Sequence, residues 1–158
     1  PMQWRPGPGA GFTDGEPWLP LTADHGTRNV AVQRDDAGSM LRLHRHLIRL
    51  RARHPALVRG GYRPLPGQGP VLAFLREEED GRRPADGRGH DRVMVLVNFD
   101  AEPADYTPPF EWAGEVVLSS RADAPAVPGD PAGRIRLAGY EAVVMALAGA
   151  APPGTARG

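Results

Sequence analysis

The chain has 158 residues, enough for one domain or for a small domain with part of another. Its 19 Lys and Arg balance 19 Asp and Glu, so no global field recruits nucleic acid, anionic lipid or an acidic substrate, and a neutral partner is expected. Cysteine is absent, which excludes disulfides and thiolate chemistry, leaves only His and carboxylates for a metal, and fits a cytoplasmic location.

Residues Pro1 to Gly38 hold Gly, Pro, Asp and Thr at short intervals with no sustained period, which predicts a long loop. Trp4, Phe12 and Trp18 within it argue for an ordered, packed loop rather than disorder. The Gly7-Pro8-Gly9 run lacks the spacing and lysine of a phosphate loop and is read as turn chemistry.

From Ser39 to Arg53 the texture changes. Met40, Leu43, Leu47 and Leu50 recur at helical spacing, Leu41 and Ile48 widen the stripe, and Arg42, Arg45, Arg49 and Arg53 take the other side. Asp35, Asp36 and Ser39 are candidate N-caps, and Pro55 is expected to end the helix. His44 falls within the apolar arc and is read as a core histidine with a local partner.

After Gly60-Gly61 come short β-rich segments: Tyr62 to Leu65, Val71 to Arg76, Val93 to Phe99, Val116 to Ser119, Arg134 to Leu137 and Ala142 to Leu147. The apolar runs Val71 to Leu75 and Val93 to Val97 are expected to be central strands, covered on both faces. Glu77 to Arg92 reads as a mobile hairpin loop between them, and residues 149–158 as a disordered tail. No apolar run approaches the roughly 20 residues of a membrane-spanning helix.

Three stretches occur in order: Pro1-Met2-Gln3-Trp4, Ala10-Gly11-Phe12-Thr13 and Pro17-Trp18-Leu19-Pro20. Asn29-Val30 with Gln33, Ser39-Met40-Leu41, Leu47 to Arg51, His54 to Leu57, Gly61-Tyr62, Val71 to Phe74 and Val95 to Phe99 follow in register. Together they resemble the late part of an α-glucosidase of glycoside hydrolase family 13, of the oligo-1,6-glucosidase or maltase type in the α-amylase superfamily. The resemblance implies an α+β fragment: the last loop and helix of a (β/α)8 barrel, then an all-β antiparallel sandwich as C-terminal domain. It divides the chain into residues 1–58, the end of a catalytic barrel with its last helix over 39–53, residues 59–148, the β domain, and the tail. Because the first motif begins at Pro1, preceding residues with an N-terminal barrel are expected to be missing. Two departures stand out: Arg5 where the family has an aspartate, and His44 where it has an aromatic residue.

The family's retaining mechanism needs two carboxyl groups about 5 to 5.5 Å apart. In the family these come from earlier barrel strands, so the chain alone is expected to carry no catalytic residue and to be inactive. Asp14 with Glu16, Asp35 with Asp36, and Glu77-Glu78-Glu79-Asp80 read instead as solvated or capping charges. His25, His46, His54 and His90 show no metal-ligand spacing, and neither metal nor cofactor is expected. Gln3, Trp4 and Phe12 are the candidate substrate-binding residues, since loops after barrel strands surround the mouth of such a site; the other reading, favoured for Trp4 and Phe12, is that they anchor the loop against the barrel. The implied substrate is an α-glucoside oligosaccharide, hydrolysed at its terminal glucose. A trehalose synthase-like glucosyl isomerase is the alternative within enzymes, and a non-catalytic glucan-binding or structural β module the alternative outside them.

Overall fold

A computed structural model of the chain describes residues 1–78, 91–121 and 133–148. They form two compact units, Pro1–Leu47 and Ile48–Gly158. The architecture is α+β, with short helices and antiparallel sheets.

The first unit is not the uninterrupted loop its composition suggests. It holds a 3-10 turn, Pro8–Gly11, and a six-residue helix α1, Val30–Asp35. The turn exists because Gly7, Gly9 and Gly11 all take positive φ, and Ala10 joins them at 51° while fully buried. Helix α1 is too short and too rich in β-branched residues to show a period, and a cap makes it. Asn29 is 1% exposed, its Oδ1 accepts Val32 N–H at 3.0 Å, and its Nδ2 donates to the carbonyls of His25 and Gly26. Helix α2, Met40–Arg53, follows the predicted stripe. Of the three candidate caps, Ser39 is the one used: its Oγ accepts Arg42 N–H at 3.3 Å and donates to the Gln33 carbonyl at 2.6 Å. The boundary between the units falls inside α2.

The predicted stop at Pro55 is a corner. Proline at the first position of a helix loses no hydrogen bond, and Pro55–Arg59 forms a further helix, α3. Seven strands follow: β1 Gly61–Pro64, β2 Val71–Glu77, β3 Arg92–Asn98, β4 Ala104–Tyr106, β5 Ala113–Ser119, β6 Ile135–Leu137 and β7 Ala142–Ala148. Five make an antiparallel sheet in the order β1-β2-β3-β7-β5, and β4 pairs with β6 in a two-stranded sheet. The two apolar runs are interior strands, paired from Val71 opposite Asn98 to Glu77 opposite Arg92, but β2 is not covered on both faces, since Leu72 is 44% exposed.

Alternation along these strands feeds two apolar clusters. One gathers Val71, Ala73 and Leu75 of β2, Met94 and Leu96 of β3, and Val143, Met145 and Leu147 of β7 with Tyr106, Ile135 and Leu137 of the two-stranded sheet. The other packs Val93, Val95 and Val144 against Leu50, Ala56 and Leu57 of α2 and α3. Each fully buried Leu, Ile or Met contributes about 1.5 to 3 kcal/mol. Gly60, at the turn into β1, has no room for a side chain: a Cβ there would lie 2.5 Å from the Ala56 carbonyl oxygen and 2.7 Å from that of Glu77. The mobile loop and disordered tail expected at Glu77 to Arg92 and 149–158 fall largely or wholly outside the described residues.

Candidate functional site

Gln3 and Trp4 are held by their backbone. The Gln3 carbonyl accepts Val30 N–H at 2.9 Å and the Trp4 carbonyl accepts Ala31 N–H at 3.0 Å, so the opening tetrapeptide is stitched to the first turn of α1. Trp4 N–H and Arg5 N–H both donate to the Ala10 carbonyl, and Phe12 N–H donates to that of Gly9. The 3-10 turn and α1 thereby fix the chain that carries all three candidate residues.

Their side chains are left accessible. Trp4 is 50% and Phe12 47% exposed, and the Gln3 amide, half-buried, donates to Thr22 Oγ1. That hydroxyl donates in turn to Asp24 Oδ1 at 2.7 Å, and the bond holds the Asp24 carboxyl below the usual carboxylate range. His25 Nδ1 lies 2.9 Å from the Thr22 carbonyl. The result is an exposed polar row, Gln3-Thr22-Asp24, on a loop that also bears two aromatic faces. Such a surface can pack a ring and exchange hydrogen bonds with hydroxyls.

Several expectations need correction. Trp18 is 84% exposed and packs in no core cluster, so the loop is ordered without burying all its aromatics. His44 is exposed on α2 rather than in a core, because Met40, Leu47 and Ile48 around it are exposed as well. Glu77 is not a solvated charge. Its Oε2 accepts Arg63 Nε at 2.9 Å and its Oε1 accepts Arg92 Nε at 2.9 Å, with Arg92 only 4% exposed. Burial pushes the Glu77 carboxyl up, but the bonds and charges of the two arginines outweigh it and hold the group below its ordinary range. Glu78 likewise pairs with Arg59 at 2.9 Å, whereas Asp36 is a capping charge as expected, accepting Gly38 N–H.

Motif reading passed over Gln33 as a structural residue. Its Oε1 accepts Leu41 N–H at 3.1 Å and its carbonyl accepts Ser39 Oγ, so it joins the end of α1 to the start of α2. Among the described residues no group of three His, Cys, Asp or Glu could hold a metal ion. Nor is any described helix long and apolar enough to cross a membrane.

Residues 1–60 match the family described as "Alpha amylase, catalytic domain". The chain is 35% identical over 104 residues to a probable α-glucosidase of Rhizobium meliloti, covering 66% of this chain and 17% of that protein. It is 37% identical over 112 residues to a probable oligo-1,6-glucosidase of Bacillus subtilis, covering 71% of this chain and 18% of the relative. Among solved structures it resembles a mutant of the trehalulose synthase MutB bound to Tris, with a TM-score of 0.77 and 29% identity over 94% of this chain and 25% of that one. The chain thus spans less than a fifth of the length of these curated relatives.

Proposed function

This chain belongs to the α-amylase family of glycoside hydrolases, and from that premise we propose that it is the C-terminal part of a retaining α-glucosidase acting on terminal α-linked glucose of oligosaccharides. Residues 1–58 complete a (β/α)8 barrel, and residues 59–148 are a β-sandwich domain. The catalytic carboxylates come from barrel strands of the parent that residues 1–158 do not include. What carries the reading is the match over residues 1–60 to a catalytic domain, taken with relatives named for α-glucosidase and oligo-1,6-glucosidase activity.

In this scheme the parent's nucleophile forms a glucosyl intermediate, and its acid protonates the leaving oxygen before activating water. The residues of this chain bind and orient. Trp4 and Phe12 offer aromatic faces to the sugar beyond the scissile bond, and Gln3 exchanges hydrogen bonds with its hydroxyls. Support comes from the contrast between their fixed backbone and their half-exposed rings. A held aromatic face contributes binding energy to the sugar, which is lost when the ring is removed.

The test is activity in two lengths of protein. The parent, with its barrel, releases p-nitrophenol from its α-glucoside, and residues 1–158 alone release none. Turnover by the short chain, or none by the parent on any α-glucoside, overturns the reading. Trp4→Ala in the parent raises KM by about tenfold with a smaller change in kcat.

A further inference from the structure

The loop after β3 and the turn between β6 and β7 each present an aromatic side chain that the fold does not use. Phe99 is 65% and Tyr140 71% exposed, and neither belongs to an apolar cluster. Tyr140 also has φ of 54°, in the left-handed region that bulky residues seldom occupy.

That conformation has a local cause. Residues 138–141 form a turn closed by Glu141 N–H donating to the Ala138 carbonyl at 3.3 Å. Its third position requires positive φ, where Gly or Asn normally sits. Here the glycine stands one place earlier, at Gly139, because a Cβ there would lie 1.8 Å from the Ala101 carbonyl oxygen. The strain therefore falls on residue 140, a tyrosine whose ring belongs to no apolar cluster. An observed backbone outlier of this kind points to use of the side chain.

The two aromatics share one rigid support. Asn98, 1% exposed, donates through Nδ2 to the carbonyls of Glu102 at 2.8 Å and Ala138 at 2.9 Å, and its own N–H donates to the Glu141 carbonyl. Tyr140 N–H donates to the Asp100 carbonyl at 2.8 Å. The buried Glu141 carboxylate accepts from Ser119 Oγ and Ala138 N–H. Asp100 and Glu102, both exposed, bring carboxylate acceptors to the same loop.

We propose that Phe99 and Tyr140 form a surface site for an α-glucan chain, with the rings packing on glucose faces and Asp100 and Glu102 accepting from hydroxyls. The flat apolar face and hydroxyl rim of a pyranose suit aromatic rings flanked by acceptors. The choice of α-glucan rests on the reading of the parent as an α-glucoside enzyme; the presence of a site does not.

Affinity electrophoresis of residues 1–158 through gels containing glycogen tests it. The chain is retarded by glycogen, and Tyr140→Ala and Phe99→Ala each need about tenfold more glycogen for the same retardation. Tyr140→Gly separates binding from folding: it loses retardation and raises the melting temperature by about 2 to 4 °C, because glycine takes the positive φ without strain. No retardation of the unmodified chain, retardation untouched by both alanine variants, or a fall in melting temperature for Tyr140→Gly overturns the proposal. An inactive parent with retardation intact sinks only the enzymatic reading, and an active parent whose chain is not retarded sinks only this site.

Discussion

Asp91 Oδ1 lies 2.8 Å from His54 Nδ1, while the other oxygen of the same carboxylate accepts Ala56 N–H at 3.0 Å. One side chain at the end of the β2–β3 connection thus holds the residue before α3 and caps that helix. Both partners are about one-fifth exposed, so the contact is shielded without being sealed.

Removing the carboxylate strands the Ala56 amide and the imidazole together. Asp91→Ala lowers stability by about 1 to 2 kcal/mol, the scale of a lost N-cap with a charged partner. Asp91→Asn keeps an oxygen for Ala56 N–H and recovers about half of that. Urea unfolding of the three proteins measures it, and equal midpoints for Asp91→Ala and the unmodified chain would remove the cap from the account.

Glu77 sets a pH dependence. Its carboxyl is depressed below the ordinary value of 4.5 because Arg63 and Arg92 outweigh the effect of burial. A depressed folded-state value means the unfolded chain takes up the proton first as pH falls. The contribution is complete above the unfolded value and is lost as pH drops through the folded one. Glu77→Gln therefore lowers stability at neutral pH and flattens its fall below pH 4.5. Thermal melts between pH 3 and 7, taken as roughly the range of carboxylate titration, compare the two slopes. Parallel slopes would contradict the assignment.

Asn29 is the corresponding point in the first unit. Asn29→Ala removes the acceptor for Val32 N–H and two donated bonds, at about 1 to 2 kcal/mol. Since Val30 and Ala31 hold the Gln3 and Trp4 carbonyls, fraying of α1 loosens the opening tetrapeptide too. Hydrogen exchange at Val30, Ala31 and Val32 accelerates together in the variant; acceleration at Val32 alone would show that the helix and the tetrapeptide are uncoupled.

What was legible in the sequence was whatever burial stamps as a long pattern. The α2 stripe and the runs at Val71 and Val93 each span enough residues to show their period or its absence. Helix α1 and strand β4, Ala104-Asp105-Tyr106, are too short, and each depends on a partner distant in sequence: the Gln3 and Trp4 carbonyls for one, β6 for the other. Helix α3 was hidden by Pro55, since proline before a break and proline at a first helical position look alike. The fates of Trp18 and Glu77 were unreadable for a further reason. Aromatic character does not say whether a surface exists to cover the ring, and an acidic run does not reveal that Arg63 and Arg92 flank its first member.

Helix α2 leaves much of its apolar stripe in solvent. Met40 is 61%, Leu47 37% and Ile48 70% exposed, and Met40 and Leu47, about two turns apart, lie on one side. Contiguous apolar surface of a few hundred Å² drives association, and a formal net charge of zero offers no repulsion against it. Residues 1–158 therefore form oligomers by light scattering. Replacing Met40 and Leu47 with glutamate breaks the patch and moves the formal charge to −2, two more acids against the same 19 bases. The double variant becomes monomeric. In the proposed parent the same substitutions act in the opposite sense, because α2 there faces barrel elements: they lower stability by about 2 kcal/mol or more by placing charge against an apolar neighbour. A monodisperse monomer from the unmodified short chain would show that the stripe is not an associating surface, and an unaffected parent would show that nothing covers it.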